Sequence, residues 1–105
     1  METPNLEYID KIANGSEILK AKIIKIVREE LSLDSEKYYE LKDTKDLKNF
    51  KVYIHRIKNK MTVLGLIESY KIASNYEKNI ENVTDEEKKF FENTLAHMIE
   101  FIDNI

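Results

Sequence analysis

The sequence contains no cysteine, no tryptophan, a single proline and two glycines. Without cysteine there is neither a disulfide framework nor a thiolate metal site, and redox chemistry through thiols is excluded. A reducing cytoplasm fits this composition, although the composition does not require one. Pro4, Gly15 and Gly65 leave few breaks in regular structure, while Lys, Glu, Ile and Leu abound, so long helices are favoured over many short strands. No apolar run approaches the roughly 20 residues needed to cross a bilayer, and no basic segment leads into an apolar stretch at the amino terminus. A soluble, unexported, cytoplasmic protein without a membrane partner is expected. At 105 residues the chain suits one domain, 1–105, and is too short for a catalytic domain plus a sensor or DNA reader.

The net charge of -3 argues against nucleic acid as the main partner, because phosphate backbones recruit basic surfaces. Its distribution is uneven. Positions 47–67 hold five basic residues (Lys48, Lys51, Arg56, Lys58, Lys60) and no acid, leaving 12 basic against 20 acidic residues elsewhere. A lysine-rich solvated helix face is the plain reading of such a segment. This one also contains a histidine.

Helical periodicity runs through the chain. Pro4 can open a short helix through about Ala13, carrying Leu6, Ile9 and Ile12 on one side, with Asn14-Gly15 as its stop. Ser16 can cap a second helix with Leu19, Ile23, Ile26, Val27 and Leu31 inward; Asp34-Ser35 can interrupt it, but Tyr38 and Leu41 continue the stripe, so one long helix to about Lys42 is expected. Asp43 or Thr44 would cap a third, in which Leu47, Phe50, Ile54, Ile57, Met61 and Leu64 form an inward seam ending at Gly65, a structural position. A fourth would span 66–80 with Leu66, Tyr70, Ala73 and Tyr76 or Glu77 near its inner side. Thr84-Asp85-Glu86-Glu87 reads as a capping box opening a fifth, with Phe91, Leu95, Met98 and Ile102 inward. The expected fold is all-α, an antiparallel four-helix bundle with a short N-terminal lead-in helix.

On the third helix the face opposite the seam carries Lys48, Lys51, His55, Lys58, Asn59 and Thr62 at spacings of three or four. His55 cannot share the core position of Ile54, because successive helical residues are rotated by about 100°. An imidazole in water is largely neutral near pH 7 and has a lone pair to offer as a nucleophile. Lys58, one turn on, can offset the charge of a phosphoryl group on that ring, and Asn59 and Thr62 can add donors. His97, beside Met98 in the last helix, lacks such neighbours and reads as packing or surface. Two histidines 42 positions apart form no i, i+4 pair, so no metal site is expected.

The string His55-x-Ile57-Lys58-Asn59 followed by Leu64-Gly65 resembles the signature of histidine-containing phosphotransfer (HPt) domains, His-x-Leu-Lys-Gly with Leu-Gly further along. The opening Asn5-Leu6-Glu7-Tyr8-Ile9-Asp10-Lys11-Ile12-Ala13-Asn14-Gly15 is similar to the lead-in of free-standing members, and Glu77 also fits. The resemblance implies a phosphorelay carrier of two-component signalling. His55 would be the phosphoacceptor, taking a phosphoryl group from an aspartate of one receiver domain and passing it to another, and Lys58 matches the lysine beside the phosphorylated ring. Its partners would be response-regulator receiver domains and a hybrid sensor histidine kinase. The chain would bind no cofactor, with Mg²⁺ held by the receiver, and would be a monomer. The Lys, Ile, Asn and Glu bias points to an AT-rich bacterial genome.

Two departures stand out. Asn59 lies where the family usually has Gly, and Lys60-Met61 where small residues are common, so bulk there is expected to crowd an approaching receiver. The string also resembles the phosphoacceptor box of one class of sensor kinases, but no glycine-rich phosphate loop is present, so ATP-dependent kinase activity by this chain alone is not expected. A non-catalytic receiver-binding adaptor, or a dimeric phosphotransferase built like a kinase hairpin, are the alternatives.

Overall fold

Short turns separate five helices in residues 2–105, the part of the chain that the computed structural model describes: α1 (Glu7–Ala13), α2 (Glu17–Leu41), α3 (Leu47–Val63), α4 (Ile67–Lys78) and α5 (Asp85–Asp103). No strand occurs among the described residues, and none of these helices is long and apolar enough to cross a membrane. α2 packs against α1, α3 and α5, while α4 packs against α3 and α5. The apolar faces of all five helices meet in one core that includes Ile9, Leu31, Tyr38, Ile57, Tyr76 and Met98.

The helix ends follow from local chemistry. Ser16 Oγ accepts the Leu19 N–H at the start of α2, and Thr84 with Glu87 forms a reciprocal capping box on α5. α1 starts at Glu7 rather than at Pro4. Its neighbour Asn5 is committed elsewhere, donating its backbone N–H to Leu64 O while its side-chain oxygen accepts the Glu7 N–H. α3 is capped by Asp46, whose Oδ1 accepts the Asn49 N–H, and not by Asp43 or Thr44. Thr44 Oγ1 instead donates to Leu41 O and accepts the Asp46 N–H, closing the turn after α2.

The α2 register also differs from expectation. Leu19 and Ile26 are 41% and 54% exposed, and the buried stripe is Ile24, Val27, Leu31, Asp34 and Tyr38. α2 has more apolar residues than one stripe can hold. The stripe that includes Asp34 prevails, and Asp34 lies within an unbroken helix instead of interrupting it. Ile12 of α1 and Leu47 at the start of α3 are likewise exposed. The remaining α3 seam, from Phe50 to Leu64, and the four inward residues expected of α5 are buried.

At the end of α3, Leu66 N–H bonds to Met61 O and Gly65 N–H to Thr62 O, the paired bonds of a Schellman stop. Gly65 holds φ at +78°, and a Cβ there would fall 2.5 Å from Asn5 Nδ2. Left-handed strain and displacement of Asn5, which caps α1, act together. Gly65→Ala is therefore expected to cost about 2 kcal/mol and lower Tm by roughly 10 °C in a thermal melt. A melting curve unchanged from the parent would show that Asn5 moves aside freely.

Candidate functional site

α3 carries the site because its apolar seam turns inward and leaves the opposite face in water. The His55 side chain is 52% exposed on that face. Its Nδ1 lies 3.1 Å from Glu77 Oε2 and 3.2 Å from Oε1, across from α4. A carboxylate can only accept, so Nδ1 carries a hydrogen, and in the neutral ring the lone pair resides on Nε2. The same carboxylate binds Lys58, whose Nζ stands 2.8 Å from Glu77 Oε1 and 5.4 Å from the Tyr70 ring centroid.

Lys58 is therefore not a freely solvated member of the outward face on which the sequence places it. Its side chain is only 12% exposed, lying between the carboxylate and the tyrosine face. Burial favours the neutral acid at Glu77, but hydrogen bonds from Lys58 and His55 outweigh it and hold the carboxyl below the usual carboxylate range. Because the folded value lies below the unfolded one, this contribution to stability is complete above the ordinary carboxylate range. It disappears as the pH falls through the depressed value. Glu77→Gln is expected to flatten the acid limb of a stability-versus-pH curve, so that variant and parent are separated at pH 7 and converge as the pH falls through the depressed Glu77 value. Parallel curves over the whole range would count against this role of Glu77.

Around the ring, Lys51, Asn59 and Thr62 are exposed on α3, as is Val52. A shallow recess of about 450 Å³ between α3 and α4 is lined by Lys51, Lys58, Ser74, Glu77 and Lys78, and adjoins the imidazole through Glu77. The larger groove bordered by His97, Glu2, Pro4 and Phe101 belongs to the far end of α5 and contributes nothing to this site. No group of three or more His, Asp or Glu suited to a metal ion occurs among the described residues.

The other flank of α3 corrects the expectation of crowding. Lys60 is buried, with Nζ 2.9 Å from Asp34 Oδ2 and 3.1 Å from Glu30 Oε1, and Met61 is in the core. Neither side chain stands over His55; only Asn59 flanks the ring as expected. Arg56 Nε lies 2.7 Å from Asp34 Oδ1, so the basic run is already half neutralised within the fold. Sequence reading missed the Asp34 cluster and the cation–π contact of Tyr70, and it placed Glu77 near the inner side of its helix without its two partners.

No protein-family model matches this chain, and neither does any curated protein or solved structure.

Proposed function

We propose that the protein is a histidine phosphotransfer carrier of a two-component phosphorelay, built as an antiparallel four-helix bundle with a lead-in helix and working in the cytoplasm as a monomer. The observation that carries this reading is the half-exposed His55 ring, held at Nδ1 by a carboxylate that also anchors Lys58. In the proposed step the Nε2 lone pair attacks the phosphorus of a receiver's aspartyl phosphate. The Nε2–P bond forms as the P–O bond to the aspartate breaks, and the electron pair leaves on the aspartate oxygen. The hydrogen stays on Nδ1, and Glu77 stabilises the positive charge that develops on the ring. Lys58, turning from Glu77, would offset the charge of the phosphoryl oxygens. The receiver supplies its own Mg²⁺, and transfer onward to another receiver reverses the same bonds.

The surface around the ring supports docking of a folded partner. Exposed Val52 lies one turn before His55, and exposed Lys48, Lys51 and Asn59 share that helix, giving the mixed apolar and polar surface on which protein partners settle. Incubation with phosphorylated receivers and Mg²⁺ is expected to give the protein an acid-labile, base-stable phosphate. Binding of receivers without such label would favour the adaptor reading, and neither binding nor label from any receiver of the source organism would defeat both.

A further inference from the structure

Four polar side chains within residues 55–60 of α3 are divided between carboxylates on opposite flanks. His55 and Lys58 turn to Glu77 of α4, whereas Arg56 and Lys60 turn to Asp34 of α2. Neighbouring residues on a helix are related by a fixed rotation of about 100°, so the direction of Arg56 dictates that of His55. Asp34 is fully buried. Its Oδ1 accepts from Arg56, and its Oδ2 makes a charge contact with Lys60 without hydrogen-bond alignment, so both cations are needed to compensate it. A buried carboxylate stripped of its cations is strongly disfavoured. The apolar seam of Ile54, Ile57 and Met61 resists rolling of α3 only weakly, because apolar contact is not directional. An ion pair anchored at one point is.

We propose that Asp34 is a positioning residue: from the α2 flank it fixes the rotation of α3, and so keeps His55 Nδ1 on Glu77 with Nε2 turned outward. The consequence for phosphate transfer rests on the carrier function proposed above, but the consequence for the imidazole does not.

The test compares the parent with Asp34→Asn and with the apolar triple variant Asp34→Leu/Arg56→Leu/Lys60→Met. Replacing buried ions by apolar side chains is commonly neutral for stability, so the triple variant separates positioning from folding. Long-range ¹H–¹⁵N spectra of the ring are expected to show the Nδ1–H form in the parent and a mixture with the Nε2–H form in both variants. Transfer from a phosphorylated receiver should slow by about tenfold in kcat, with KM for the receiver little changed. A folded triple variant that keeps the parental ring spectrum overturns the proposal. Should neither variant fold, Arg56→Met is read in the same way; that side chain is 39% exposed at the rim, and an unchanged ring again overturns it. If no receiver labels the parent, the carrier reading falls while the ring spectrum still decides the part played by Asp34.

Discussion

His55→Gln is expected to eliminate acid-labile phosphorylation completely while changing stability by no more than about 0.5 kcal/mol. The large effect follows from chemistry. A glutamine amide nitrogen has its lone pair delocalised into the carbonyl and cannot attack phosphorus, whereas the imidazole Nε2 can. The small effect follows from placement. The ring is half exposed and its polar partner is Glu77, which keeps Lys58 after the substitution. Gln is also at least as good a helix former as His. His97→Gln is the matched control and should retain full labelling. Label that persists in His55→Gln would assign the acceptor to another residue.

The largest loss of stability is expected at Tyr38. This side chain is fully buried, and its ring packs within 5.1 Å (centroid to centroid) of both Phe50 and Phe91 and edge-on to Tyr76. Its hydroxyl lies 2.9 Å from Tyr76 Oη and donates to Glu92 Oε2, which in turn pairs with Lys42. Burial, reinforced by the contacts with Tyr76 and Glu92, pushes the Tyr38 phenol far above its ordinary range, so it remains neutral. Tyr38→Ala leaves a cavity among the rings of Phe50, Tyr76 and Phe91 and is expected to cost about 4 kcal/mol, a large fraction of the stability of a domain of this size. Tyr38→Phe keeps the ring and loses only the hydroxyl contacts, for about 1–2 kcal/mol. Denaturant titration distinguishes the two. Equal losses would mean that the hydrogen-bonded chain, and not aromatic packing, holds this end of the bundle.

Much of the architecture was legible in periodicity and caps, because Ser16, Thr84 with Glu87, and the Phe50 to Leu64 seam each act locally. What escaped was decided by contacts between helices. Leu19 and Ile26 competed with Ile24 for the inward side of α2, and periodicity alone cannot choose between overlapping stripes. Asp34 was the available signal. An acid four residues before Tyr38 and three after Leu31 stands at a core position, and the basic run of α3 was the natural place to seek its cations. His55 was legible as an outward residue of α3, and its distance from the core seam followed from rotation alone. Glu77 was harder, since a carboxylate one position after Tyr76 points either inward or toward α3 depending on a helix rotation that only packing fixes.

The amino-terminal strap has a consequence of its own. Glu2 accepts the backbone N–H groups of Glu68 and Ser69 and the Ser69 hydroxyl, bonding residues 66 and 67 positions apart. Those two amides open the first turn of α4 and have no partner within their own helix. Their deuterium uptake therefore gauges whether the strap is latched, with fast exchange reporting its release. Any fusion or bound molecule that pulls on residue 2 would be felt at the base of the helix carrying Glu77.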